Sequence, residues 1–322
     1  MQKVRDAALR KPKICVVGAS NMDLLTKVPR LPKMGETLIG NHFHIGFGGK
    51  GANQAVMAAK LGAEVAMVTK LGRDVFGEMT YKNYQECGID TQHVCWAKES
   101  SGVAPIFVDR EGHNFIVIVP GANWKLSPED VRGASKAIKE SDVVVCQLEI
   151  PLETTLEALR IAKEGEVLTV FNPAPGCSLP SKIFRLCDVI APNRIETEAI
   201  AGITIKTLRD AEVAVKKLLS LGCKAAIITL GEKGAMVGDE EGVVKIPTIP
   251  VKPTDSTGAG DAFIGTLAYF LALDTPRRRA VRIANATAAL SVTKRGTQLS
   301  FPSKNEIKKT CERLFDESLE GG

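Results

Sequence analysis

Asp255-Ser256-Thr257-Gly258-Ala259-Gly260-Asp261 runs directly into Ala262-Phe263-Ile264-Gly265-Thr266-Leu267-Ala268-Tyr269-Phe270-Leu271. The second run is apolar on every side, so as a helix it belongs inside the molecule rather than half in water. The first turn of a helix leaves its N–H groups unpaired, and here they fall on or near Gly258, Ala259, Gly260 and Asp261. Glycines let another group come close to that backbone, and the helix dipole adds partial positive charge there. The stretch reads as an anion site, with phosphate the natural anion.

Asp261 does not suit a plain phosphate cradle, because its charge repels a resting phosphate. It makes sense where a hydroxyl must lose its proton as a phosphoryl group arrives. The competing reading is a helix cap and nothing more. The glycines before Asp261 and the buried run behind it favour the chemical reading.

Outward from this stretch the chain alternates strand and helix. Ile14-Cys15-Val16-Val17, Val65-Ala66-Met67-Val68, Val143-Val144-Val145-Cys146, 167–171, Val189-Ile190 and 225–229 are short apolar runs, the signature of strands buried on both faces. Helices are predicted over 52–61, 74–87, 152–163, 209–221, 262–273 and 278–293, with another starting at Ser127-Pro128-Glu129-Asp130. This order implies an α/β class with helices on both faces of a mainly parallel sheet. Two β-rich patches interrupt it. One lies within 24–47, with a β-type piece at Thr37-Leu38-Ile39, and the other is a hairpin of 103–108 and 114–119. Neither joins the main sheet easily, so together they imply a small separate lid.

Composition sets the outer limits. The 322 residues are 44% hydrophobic and 25% charged, ordinary for a soluble globular protein. The net charge of +5 is modest. Its one tight basic run, Arg277-Arg278-Arg279, reads as a solvated helix start rather than a nucleic-acid patch. Aromatics at 5% are too few for base-stacking platforms, and no run is long enough to span a membrane. Eight cysteines without a C-x-x-C pair, Cys15, Cys146 and Cys223 among them as buried thiols, point to a reducing, cytoplasmic setting and do not bar the nucleus. Residues 1–12 are expected to form a flexible tail.

In an open α/β sheet, ligands bind beyond the carboxyl ends of the strands. Asn21, Asp23 and Glu149 fall there and suit a polyhydroxylated ligand. Thr229-Leu230-Gly231-Glu232-Lys233-Gly234 is a glycine-punctuated turn suited to phosphate oxygens. Asn193 and Glu196 can face each other on a turn and hold the hydration shell of Mg²⁺, against the alternative of a surface charge. Three patterns mislead. Gly46-x-Gly48-x-x-Gly51 matches a dinucleotide fingerprint, but no buried strand precedes it. Gly48-Gly49-Lys50-Gly51 looks like a P-loop but lacks the Ser or Thr after Lys50. His42 and His44 read as surface strand residues rather than metal ligands.

Taken with Asp255–Asp261, the segment Gly48-Gly49-Lys50-Gly51-Ala52-Asn53-Gln54-Ala55 resembles the sugar-kinase family that includes ribokinases, fructokinases and adenosine kinases, and its ribokinase branch most. Asn21-Met22-Asp23 and Val117-Ile118-Val119-Pro120-Gly121-Ala122-Asn123 point the same way. The resemblance spans about 13–305. It implies a three-layer α/β/α kinase domain over 13–322, with a β-lid built from about 22–47 and 101–122 and hinged near Gly48-Gly49 and Gly121. It also implies ATP-dependent phosphorylation of D-ribose at its 5-hydroxyl and a homodimer through the lid. Asn21, Met22, Asp23, Gly49, Lys50, Gly51, Asn53 and Glu149 would bind the sugar, with Asp261 as base and Gly258, Ala259 and Gly260 lining the anion hole. Asn193, the Thr229–Gly234 turn, Gly260 and Asn285 would meet ATP, and Glu196 would hold Mg²⁺ through water. Asp255, Thr257, Ser291, Lys294, Gly296 and Ser300 would form a K⁺ site, mostly through backbone oxygens. Rival readings are a sibling kinase for another pentose or a nucleoside, a non-catalytic sugar-binding protein, and, more distantly, a dehydrogenase.

Overall fold

The computed structural model describes residues 10–315. In chain order, β1 (Lys13–Val17), β2 (Asn21–Lys27) and β3 (His42–Gly48) precede α1 (Lys50–Leu61). Then come β4 (Glu64–Gly72), α2 (Val75–Glu86), β5 (Val94–Ala97), β6 (Gly102–Val108) and β7 (Asn114–Ile116). Short helices α3 (Pro128–Gly133) and α4 (Ser135–Lys139) lead to β8 (Val143–Cys146), α5 (Leu152–Glu164), β9 (Leu168–Phe171) and β10 (Val189–Ile190). The chain continues through α6 (Arg194–Ala201), α7 (Leu208–Ser220), β11 (Ala225–Thr229), β12 (Ala235–Asp239) and β13 (Gly242–Ile246). The last described elements are α8 (Ala259–Leu271), α9 (Arg277–Ser291) and α10 (Lys304–Phe315).

The main sheet has nine strands in the order β13-β12-β11-β10-β9-β8-β1-β4-β5. It is parallel from β11 to β5, and the hairpin β12–β13 adds an antiparallel edge. The continuous apolar runs follow from burial on both faces. Along β1, Ile14 and Val16 face a core shared with α1, α8 and α9, while Cys15 and Val17 face a second core with α5 and α7. Local signals start the helices where the sequence places them. Asp74 accepts the Gly77 N–H at the head of α2, and capping boxes at Ser127/Asp130 and Thr207/Asp210 start α3 and α7.

The interrupting patches form a separate four-stranded sheet in the order β3-β2-β6-β7. β2 pairs antiparallel with β3 and parallel with β6, and β6–β7 is the expected hairpin, with β7 ending at Ile116. Phe43, Phe115, Ile116, Val117, Ile118 and Val119 remain exposed on this sheet and the segment after it.

Helix α8 is buried from Asp261 to Leu271, as its composition requires. Burying side chains such as Phe263 and Leu267 contributes about 1.5–3 kcal/mol each. It packs against α1 without a spacer: a Cβ at Gly265 would lie 2.6 Å from the Gln54 carbonyl and 2.8 Å from the Met57 Cβ. This close crossing sets Asn53 and Gln54 beside the start of α8.

Three expectations need correction. Thr37–Ile39 forms no strand; Ile39 is exposed, and the strand begins at His42, where β2 offers a partner. Of the tail, 1–9 lie outside the described residues, but 10–12 are anchored: Arg10 pairs with Asp142, and the buried Pro12 accepts the Glu64 N–H through its carbonyl. Arg277 and Arg278 are not simply solvated. They sit half-buried at the start of α9, paired with Asp239, Glu240 and Glu241 of the β12–β13 turn.

Candidate active site

Residues from the carboxyl ends of β1, β8, β9, β10 and β11 meet the heads of α1 and α8 on one rim. Asp261 occupies the third position of α8 after Gly258, the left-handed N-cap (φ 78°). It is only 6% exposed. Its Oδ2 accepts from Asn53 Nδ2 at 2.8 Å and its Oδ1 from Gln54 Nε2 at 3.0 Å. Gly260 is exposed, and a Cβ there would meet nothing within 4 Å, so space lies open above the first-turn amides. A helix N-terminus beside an open surface is an anion-binding geometry.

The residues expected to bind sugar converge on the same space. Asn53 Oδ1 accepts from Gln298 Nε2 at 3.0 Å, and the neighbouring Thr297 hydroxyl donates to Asp23 Oδ2 at 3.3 Å. Asn21 is buried, its Oδ1 held by Asn123 Nδ2 at 2.8 Å. On strand β2, Asn21 and Asp23 share one face, so Met22 points to the other, where it is fully buried. Gly49 heads α1 with φ 87°, and a Cβ would come within 2.6 Å of the Asn21 N, so the turn from lid to helix requires glycine. Gly51 packs against Gly18. The Lys50 N–H donates to Glu149 Oε2 at 2.8 Å.

The charges of three carboxylates, Glu149, Glu196 and Asp261, act on one ammonium, Lys50, while Asp23 feels Glu149 and Asp261. Burial pulls the Lys50 ammonium down, but the charges of Asp261, Glu149 and Glu196 carry it above its ordinary range. Burial pushes Glu149 up against the opposing pull of Lys50. Burial also lifts Asp23 to about 7; the Thr297 hydrogen bond opposes this, and the charges of Glu149 and Asp261 add to it.

Asn193 caps α6 rather than lying on a plain turn. Its Oδ1 accepts the Glu196 N–H, while Glu196 accepts from the Asn193 N–H at 2.7 Å and from Nδ2 at 2.8 Å. Glu196 is buried, which raises its pKa. An isolated parallel bridge joins Asn193 to Thr229, so the two candidate nucleotide elements touch. The turn after Thr229 is a short 3-10 segment, Gly231–Lys233, closed by a hydrogen bond from the Leu230 N–H to the Gly234 carbonyl; Glu232 is exposed. Asn285 is buried in α9 and donates to the Ile246 and Pro247 carbonyls. That segment abuts Gly234, so Asn285 supports the turn through backbone.

The residues named for K⁺ also come together. Asp255 Oδ1 accepts from the Thr257 N–H and hydroxyl, Oδ2 accepts from the Gly296 N–H, and the Asp255 N–H donates to the Val292 carbonyl. The Lys294 ammonium turns away to Glu306, which leaves only its backbone for the loop. Ser291 accepts the Lys294 N–H through its carbonyl, and Ser300 donates its hydroxyl to the Thr297 carbonyl.

Sequence reasoning did not single out Gln54, Asn123, Gln147, Asn172, Thr297 or Gln298 as site residues. Gln147 and Asn172 directly follow β8 and β9, so the rim position signals them. Thr297 and Gln298 lie in a loop with no pattern of its own.

The arrangement can hold an alcohol, remove its proton and receive an anion at one place. Comparison with known proteins identifies the family. The pfkB family carbohydrate kinase profile matches residues 11–304. The chain is 42% identical to a ribokinase of Mus musculus over 300 residues, 91% of this chain and 93% of that one. It is 41% identical to a deoxyribokinase of Salmonella typhi over 301 residues, 92% and 97% of the two chains. A solved structure of the Arabidopsis thaliana ribokinase, complexed with ribose and ATP, superposes with a TM-score of 0.86 at 29% identity, covering 93% of this chain and 98% of the other. Built on this rim and matched along almost its whole described length, the chain belongs to the pfkB family of carbohydrate kinases and is a sugar kinase, a phosphotransferase.

Proposed function

We propose that this kinase transfers the γ-phosphoryl group of ATP to the 5-hydroxyl of D-ribose. The observation that carries the reading is the position of Asp261. Its carboxylate lies in the first turn of α8 beside the open Gly260 amide, and it is tied through Asn53, Gln298 and the adjacent Thr297 to Asp23. Asn21, Asp23, Lys50, Asn53, Glu149 and the Gly49 backbone hold the sugar hydroxyls. Asp261 takes the 5-hydroxyl proton as that oxygen attacks phosphorus in line. The amides of Gly258, Ala259 and Gly260 stabilise the charge that spreads over the phosphoryl oxygens. Asn193 and the Thr229–Gly234 turn hold the nucleotide, and closure of the lid keeps water from the phosphoryl group.

The residues fit both implied cations. Glu196 has an oxygen engaged by each Asn193 donor, which suits contact with Mg²⁺ through water; the ion would supply charge neutralisation on the phosphates. The loops of Asp255–Thr257 and Ser291–Ser300, clasped by the Asp255 carboxylate, offer backbone oxygens suited to K⁺, which would hold the loop leading into the anion hole. Exposed apolar residues on the lid support a homodimer through that sheet. None of the eight cysteines, all among the described residues, is joined in a disulfide, which supports a reducing, cytoplasmic setting.

A second reading, 2-deoxyribose as substrate, is favoured by the near-equal identity to a deoxyribokinase and a ribokinase. Product identification tests both: incubate with ATP and Mg²⁺, offer each sugar separately, and repeat with and without K⁺. Ribose 5-phosphate formed faster than deoxyribose 5-phosphate, and faster with K⁺, is the expected result. No sugar phosphate from either pentose would overturn the proposal.

A further inference from the structure

Three buried amides cross the rim beneath Asp261. Gln147 follows β8, Asn172 follows β9, and Ala191 follows β10; these strands are neighbours in the sheet. Gln147 Nε2 donates to Gln54 Oε1 at 2.6 Å. Gln54 Nε2 donates to Asp261 Oδ1 at 3.0 Å and to Asn172 Oδ1 at 3.2 Å. Asn172 Nδ2 donates to the Ala191 carbonyl at 2.8 Å. Gln54 and Gln147 are 0% exposed and Asn172 is 7% exposed.

Both ends of this chain of bonds are acceptors, which fixes every amide between them. The Ala191 carbonyl only accepts, so the Asn172 NH₂ must face it and the Asn172 oxygen must face Gln54. The Asp261 carboxylate calls for the Gln54 NH₂ on the same side. The Gln54 oxygen is thereby turned to Gln147, and no flipped arrangement pairs all the groups. Burying three amides is costly unless each is paired. One atom, Gln147 Oε1, has no hydrogen-bond partner even so, wedged against Gly18, where a Cβ would come within 2.0 Å of it. Apolar side chains would fill this space at lower cost, so stability alone does not account for the chain.

We infer that Gln54, oriented by Gln147 and Asn172, is a positioning residue that fixes the plane of the Asp261 carboxylate for proton acceptance. This rests on Asp261 being the base. Asn53 holds Oδ2 and faces the sugar side, so it reports on substrate binding as well. Gln54 touches only Oδ1 and lies on the core side, away from any ligand. With one donor on each oxygen, the remaining lone pairs are directed into the open space. Neutral amides do this without neutralising the carboxylate, as an arginine would. The same chain ends at Ala191, two residues before the Asn193 cap, so the base is set against the candidate nucleotide side of the rim.

The test compares Gln54→Leu, Gln147→Leu and wild type, each alone and in the Asp261→Asn background. Pentose phosphorylation and thermal stability are measured for all. A displaced base lowers kcat by roughly 10- to 100-fold in Gln54→Leu. KM for the sugar stays within about threefold, because the sugar contacts are untouched. Gln147→Leu frees Gln54 to rotate and lowers kcat by a smaller factor, roughly threefold to tenfold. In the Asp261→Asn background neither change lowers the residual rate further. A purely structural role would instead lower stability and leave kcat within about twofold, or would act equally in both backgrounds; either result overturns the inference. If Gln54→Leu does not fold, Gln147→Leu decides by the same criteria. A wild-type enzyme that forms no pentose phosphate would sink the function itself; an active wild type with indifferent variants would sink only this assignment.

Discussion

Asp261→Asn is expected to do two separable things, and the structure sets the size of each. The first is chemical. An amide cannot accept the hydroxyl proton, and loss of a positioned general base lowers kcat by roughly 10²- to 10⁴-fold. That corresponds to about 2.7–5.5 kcal/mol on the barrier. The second is structural. Each Asp261 oxygen accepts an N–H, one from Asn53 and one from Gln54. An amide at this position must therefore turn its own NH₂ toward a donor in either rotamer. Leaving such a buried donor unpaired costs about 1–3 kcal/mol. Unfolding entropy of about 2.1 cal/mol/K per residue, scaled to this chain, makes each kcal/mol worth about 1.5 °C. Tm should fall by about 2–4 °C. The assay is ADP release coupled to pentose phosphorylation, with Tm read by scanning calorimetry on the same samples. A variant turning over within about threefold of wild type would refute the role of Asp261, whatever its Tm.

Gly265→Val places side-chain atoms where Gln54 O and Met57 Cβ already lie within 2.6 and 2.8 Å of the added Cβ. Overpacking should cost about 1–3 kcal/mol, and kcat should fall as well, because α1 carries both donors to Asp261; unchanged kinetics would show that the helix crossing does not set the base. The Asp23 carboxyl titrates near 7 in the fold, above the ordinary carboxylate range, so between about pH 4 and 7 the native state holds more protons than the unfolded chain. Stability should therefore decline as pH rises through that window, by at most about 3–4 kcal/mol, and Asp23→Asn should flatten the decline when denaturant midpoints are compared from pH 4 to 8. Val117→Glu puts a charge on the exposed apolar edge of the lid, where Val117 is 60% exposed. Light scattering should then show monomers where wild type shows dimers, and a wild type that is already monomeric would end the lid-dimer proposal.

How much of this was legible in the sequence depends on where each signal is stored. The parallel sheet is written in composition, because a strand covered on both faces must be apolar throughout, as Val143–Cys146 is. The head of α8 is legible because glycines, a carboxylate and a wholly apolar helix seldom coincide without a ligand to explain them. The lid was visible by exclusion, since the β-rich patches within 24–47 and 103–119 interrupt the strand–helix alternation, although the strands themselves, Asn21–Lys27 and His42–Gly48, were not placed. α10 was overlooked, although Ser303 and Glu306 bond reciprocally at its start as a capping box should; its apolar face is only Ile307 and Cys311 with Phe315 beside them.

Residues whose role is to orient another residue are harder to see, because their chemistry is ordinary and their partners are distant in sequence. Gln54 meets Asp261 across 207 positions and Gln298 meets Asn53 across 245. Neither spacing has a period, and each amide alone reads as a polar residue on a helix or in a loop. The cue is relational. Gln147 and Asn172 occupy the first position after consecutive buried strands, where a residue must either face the ligand or support one that does. Both are almost fully buried, which leaves the second option, and the acceptors at either end of their chain leave Gln54 a single orientation. A rim residue that is polar, buried and turned from the open space is thus evidence about the carboxylate it supports, and it marks Asp261 from behind as the Gly258–Gly260 amides mark it from the front.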